Sequence, residues 1–138
     1  MTIIFEKPNV IVVSHNPDKN YILFDWTNFG VSLEEIKALH TAALDVAKRL
    51  GCHDYVAETS KVTNTLRQDV VAWFGDTWLP VLTKFGLRNI VTVVPKGAIA
   101  TLSTKSWQRQ IVGGINVINV ASLADAEAAL TSSQARGG

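Results

Sequence analysis

The chain reads as one α/β domain, in which strands alternate with helices after an opening β-hairpin. Three observations carry that reading. Residues 89–94 (NIVTVV) and 115–120 (INVINV) are almost continuous β-branched runs, the pattern of strands covered on both faces in a parallel sheet. Ser32 with Glu35 three residues later, and Gly51 beyond, bracket a helix with a capping box and a glycine stop. The Pro, Asp and Asn of residues 16–20 set a reversal between the apolar stretches 10–14 and 21–26. Together these predict a mixed, mostly parallel sheet of about five strands with right-handed crossovers and about four helices.

Taken in order, residues 3–5 add a short lead-in strand, separated from the next by Pro8, which has no amide hydrogen to give to a ladder. In the helix after Ser32, Leu33, Ile36, Leu39, Ala43, Val46, Ala47 and Leu50 fall on one arc at 100° per residue, and Glu34, Lys37, Asp45, Lys48 and Arg49 on the other. One face is therefore buried. Residues 53–58 (HDYVAE) form a short strand. Residues 66–85 place Val70, Phe74, Trp78, Leu82 and Phe85 at helical spacing but contain Gly75 and Pro80, which predicts a kink or two short helices in place of one straight rod. Residues 97–110 read as a third helical stretch ahead of Gly113-Gly114, and Ser122 with Asp125 opens a fourth that runs to Leu130. The domain spans residues 1–130, and residues 131–138 (TSSQARGG), without an apolar anchor, are expected to form a mobile tail.

Composition narrows the function classes. A chain of 138 residues, 47% apolar and 18% charged, fits one domain with a single core. Thirteen basic and 12 acidic residues give a net charge of +1, so no strong field draws the chain to nucleic acid or anionic lipid. The first ten residues lack a basic segment followed by an apolar run, and no apolar run reaches the roughly 18 residues of a membrane span. A cytoplasmic protein is expected. The single cysteine, Cys52, rules out an intrachain disulfide and suits a buried, inert thiol in a reducing compartment.

Sites with strong chemical signatures are absent from the sequence. His15, His40 and His53 have no spacing for a closed metal site, and His40, inside the apolar arc of its helix, reads as a packed histidine with its hydrogen bonds satisfied. No Gly-x-Ser-x-Gly occurs, Ser60-Lys61 has the wrong spacing for a Ser-x-x-Lys pair, and the glycine-rich phosphate loops are missing around Pro95-Lys96-Gly97. Neither a metal nor another cofactor is expected.

Further along, Trp78-Leu79-Pro80-Val81-Leu82, then Phe85-Gly86-Leu87 and Asn89-Ile90-Val91-Thr92-Val93-Val94-Pro95, form an aromatic-proline helix, a glycine stop, an apolar strand and a terminal proline. With the closing helix Ser122-Leu123-Ala124-Asp125-Ala126-Glu127-Ala128-Ala129-Leu130, this pattern resembles the SpoIIAA-like domains of the STAS superfamily, in a bacterial branch, over roughly residues 10–130. The resemblance implies the SpoIIAA-like fold and a regulatory or binding role; some relatives of this topology carry lipids or other apolar molecules. The anti-sigma-factor antagonists of the superfamily are phosphorylated on a serine in an Asp-Ser-x-Gly setting. Here that region reads Glu58-Thr59-Ser60-Lys61-Val62-Thr63-Asn64-Thr65, without the Asp-Ser pair or the glycine.

Two candidate sites follow. Loops at the carboxyl ends of parallel strands converge in open α/β sheets, which singles out Glu58, Thr59, Ser60, Lys61 and Thr63, with Lys96 from the neighbouring loop, as a ligand or partner surface beside a helix starting near Thr65 or Leu66. There an anion, or a phosphate on Ser60, would meet Lys61 and Lys96. The second candidate is an apolar groove beside Trp73, Trp78 and Trp107, whose exposed parts would line a ligand site or a homodimer contact. The expected function is a non-catalytic binding or regulatory module with a protein partner. A carrier of a small apolar or lipid-like ligand and a small-molecule enzyme are the alternatives.

Overall fold

The computed structural model describes residues 1–94 and 108–136. Seven strands build one sheet: β1 (Thr2–Lys7), β2 (Ile11–Asn16), β3 (Tyr21–Trp26), β4 (Asp54–Glu58), β5 (Asn89–Val93), β6 (Gln108–Val112) and β7 (Ile115–Val120). Their order is β1-β2-β3-β4-β5-β7-β6. The α/β class holds. The centre, β3-β4-β5-β7, is parallel, as its apolar runs predict, while β1, β2 and β6 join antiparallel at the two sides. The sheet is thus two strands larger than the expected five: the lead-in strand at residues 3–5 joins it as β1, and β6 takes the place of expected helix.

At one edge, Pro8 does not interrupt pairing; it makes the turn. Val10 donates its amide to the Lys7 carbonyl at 3.0 Å, with Pro8 and Asn9 between them and Asn9 at φ 65°, the arrangement of a type II turn. At the other edge, Gly113 and Gly114 take φ of 60° and 85° and form a two-residue hairpin, not the end of a helix. Residues 108–110 are therefore strand, which corrects the helical stretch expected to run to Gln110; its earlier part, with Lys96 and Trp107 beside it, lies outside the described residues.

Among the described residues there are three helical units against the expected four. Helix α1 (Leu33–Leu50) has its capping box, with Ser32 Oγ accepting from the Glu35 amide and Glu35 reaching back to the Ser32 amide, and ends on Gly51 in the left-handed region at φ 60°. The second unit begins later than expected, as α2 (Gln68–Trp73), passes through one π-turn at Phe74–Trp78 and continues as α3 (Leu79–Phe85). Pro80 accounts for the irregularity. Its ring would crowd the carbonyl of Asp76 in a regular helix, and the wider turn, in which Leu79 donates to the Phe74 carbonyl, makes room. Helix α4 (Leu123–Arg136) continues past Leu130, so residues 131–136 extend it.

The helices cover opposite faces. Ala126, Ala129 and Leu130 of α4 pack on Leu23, Val56, Val91, Val93 and Ile118. On the other face, Ile36, Leu39, Ala43 and Ala47 of α1 and Val70, Trp78 and Leu82 of the broken helix pack on Ile22, Phe24 and Tyr55. Cys52 is fully buried in that second core. No described helix is long and apolar enough to cross a membrane.

Candidate functional site

The face under α1 and α2 is not filled. A cavity of about 450 Å³ lies there, over the carboxyl-terminal halves of β3, β4 and β5. Its floor follows from register. Phe24, Ala57 and Thr92 stand side by side across the three strands, and Tyr55 and Ile90 form the row behind them. Side chains two apart on a strand share a face, so Trp26, Thr59 and Val94 extend the floor toward the strand ends. Ala57 creates the space: a single methyl group stands where its neighbours carry a ring and a branched chain. Ile36 and His40 of α1, Val70, Val71 and Phe74 of the broken helix, and Phe29 and Leu66 from loops form the walls.

Two loops close around the same end. Asn64 accepts the Phe29 amide at 2.9 Å and donates to the Asn28 side chain at 3.2 Å, which ties the segment after β4 to the one after β3. Thr59, which lines the cavity, donates its hydroxyl to the Val93 carbonyl at 2.6 Å and ties the end of β4 to β5.

No carboxylate, ammonium or guanidinium group is among the lining side chains. Two of the polar groups that are present, on His40 and Tyr55, have an enclosed atom without a partner. His40 lies among the rings of Phe24, Trp73, Phe74 and Trp78 at centroid distances of 5.2–6.0 Å. Its Nδ1 is enclosed without a hydrogen bond, which corrects the expectation of a satisfied histidine. Burial holds the ring neutral, with its pKa pushed down to about 3. Tyr55, 2% exposed, likewise has an enclosed hydroxyl with no partner, and burial raises its pKa. An enclosed polar group without a partner typically costs about 1–3 kcal/mol.

The sequence-derived residues fall differently from expectation. Thr59 lines the cavity. Glu58, on the opposite face of β4, accepts the Ser60 amide at 2.7 Å, so that amide is not free for an anion. Lys61 Nζ stands 3.1 Å from Asp25 Oδ1, an ion pair by distance whose geometry does not make a hydrogen bond. Thr63 is exposed. The start of α2 carries its own anion, since Asp69 accepts from the Val70 amide and pairs with Arg67 at 3.1 Å. Trp73 and Trp78 do not line the cavity; they stack on each other, centroids 5.3 Å apart, behind His40.

What sequence reasoning missed is Phe24, Trp26, Tyr55 and His40. The signal was present in the alternation of β3, which sets Phe24 and Trp26 on the face opposite Leu23 and Asp25, and in His40 on the apolar arc of α1. Among the described residues, no group of three or more His, Cys, Asp or Glu side chains is placed to hold a metal ion. Comparison of the chain with family models, with curated proteins and with solved structures gives no match.

Proposed function

We propose that this chain is a binding module whose ligand is a small, predominantly apolar molecule held between the sheet and helices α1 and α2. The observation that carries the reading is the cavity: about 450 Å³, within the size range of small-molecule sites, lined by aromatic and aliphatic side chains with a few polar groups, and placed at the carboxyl ends of parallel strands. Of the readings open at the level of sequence, carriage of an apolar ligand has this support. Partner binding through residues 58–63 has less, because Lys61 and the Ser60 amide are already engaged. Kinship with SpoIIAA-like domains is part of the proposal, supported by the order of strands and helices from β2 to β5 and by the Trp78–Pro80 helix.

The test is titration with Nile red, a neutral apolar dye, alongside native mass spectrometry of the purified chain. A saturable single site is expected, lost in Ala57→Trp, where the indole fills the floor while circular dichroism stays that of the parent. Dye uptake that Ala57→Trp leaves unchanged would place binding elsewhere.

A further inference from the structure

We infer that the cavity selects an uncharged, ring-bearing molecule with one hydroxyl group, seated so that the hydroxyl meets the imidazole of His40. This deepens the proposed function and rests on it. Charge is excluded by the walls. A carboxylate inside would find no cation among the lining side chains, and an ammonium no anion, so either would lose its hydration without replacement. A protonated His40 could have received an anion, but four rings surround it and its desolvation opposes that proton.

A purely hydrocarbon ligand would leave His40 as it is. The ring lines the cavity, and neither nitrogen makes a hydrogen bond among the described residues. Nδ1 is enclosed, so the ligand's hydroxyl is seated against Nε2, the other nitrogen of a ring that lines the cavity. A neutral imidazole presents a donor on one nitrogen and an acceptor on the other; a hydroxyl both donates and accepts, so it answers whichever Nε2 offers. Ring character follows from Phe24, Trp26, Phe29 and Phe74. Trp26 and Phe29 already meet edge to face at 5.1 Å, a geometry that a flat ring packed beside them would extend.

Three probes of one shape test the inference on the unmodified chain: naphthalene, 2-naphthol and 2-naphthoate, followed by heteronuclear NMR titration at neutral pH. The expected order is 2-naphthol tightest, by about tenfold over naphthalene, with 2-naphthoate weaker than 2-naphthol by at least about tenfold. His40→Phe is expected to abolish the margin of 2-naphthol over naphthalene while naphthalene still binds. Equal binding of the three, or a preference for 2-naphthoate, would overturn the inference and leave the apolar cavity standing as a site. A 2-naphthol margin that persists in His40→Phe would also overturn it. Failure of all three to bind would overturn the proposed function, and this inference with it.

Discussion

The two faces of the sheet solve the same packing problem differently, and their tyrosines show it most directly. Tyr21, against α4, is 1% exposed and donates to Glu127 at 2.9 Å; burial, with that carboxylate beside it, pushes its pKa up to about 12. Tyr55, against α1 and α2, is as deeply buried, and its hydroxyl has no partner. The α4 face packs small residues, Ala126 and Ala129, with branched strand side chains in a buried cluster. The opposite face keeps a cavity and three enclosed polar atoms without partners, on His40, Tyr55 and Trp78, whereas Asp25 Oδ1 on the α4 side, also without a hydrogen bond, has Lys61 Nζ 3.1 Å away. Space and unpaired polar groups on the same side of one sheet mark that side as shaped for a ligand, and the other as shaped for stability.

Truncation gives the largest contrast. Leu130→Ala, in the closed core, is expected to cost about 2–5 kcal/mol of unfolding free energy, whereas Ile90→Ala, on a wall already facing empty space, should cost less than about 2. Chemical denaturation measures both. Equal losses would say that the faces are equally packed.

Loss of the hydroxyl sharpens the comparison at constant shape. Tyr21→Phe should destabilise by about 1–2 kcal/mol, because Glu127 loses a donor, and Tyr55→Phe should be neutral or stabilising by up to about 1 kcal/mol, because an unpaired group is removed. The reverse pattern in melting curves would mean that Tyr55 has a partner in solution.

Acid separates the faces in another way. The ring of His40 has its pKa held near 3, well below the usual value of 6.5, so the unfolded chain binds that proton more readily than the folded one. Stability should therefore be level above pH 6.5 and fall as pH drops toward 3, at up to about 1.4 kcal/mol per unit. His40→Phe should remove the loss between pH 6.5 and 4.5. Below 4.5 a second loss remains in both proteins, because the ion pair with Lys7, helped by the Ser32 amide, holds Glu35 at about 2 and that contact disappears on protonation. Identical profiles for parent and variant would place His40 in water.

The smallest effect concerns Cys52. Its thiol is fully buried, with its pKa raised by burial, and Sγ lies 3.4 Å from the Asn20 carbonyl. Thiol reagents should modify it at the rate of global unfolding and no faster. Rapid labelling of the native chain would show that the core beneath α1 opens locally.

Much of this architecture was legible in the residues, because its signals are local. The capping box of Ser32 and Glu35, the Gly51 stop, the runs at β5 and β7 and the irregularity before Pro80 each depend on a few adjacent side chains. Strand β6 was not legible. Gln108-Arg109-Gln110 is a polar edge segment with no apolar alternation, and two glycines end helices as readily as they turn hairpins. The cavity was harder still. Loop position at the carboxyl ends of the strands did point to Thr59, but which aromatic rings meet there depends on the register Phe24-Ala57-Thr92, and a register between distant strands leaves no mark within any one of them. Tryptophan content drew attention to Trp73 and Trp78, which stack on each other, while Trp26 lines the site.

Methyl-resolved NMR during titration with naphthalene tests the central claim most directly, since both faces report in one spectrum. The account predicts that the methyl signals of Ile36, Leu66, Val70, Ile90 and Val94 shift with one common saturation curve, while those of Val56, Val91, Ile118 and Leu130 stay in place. Shifts confined to the α4 face, or spread evenly over both, would contradict it.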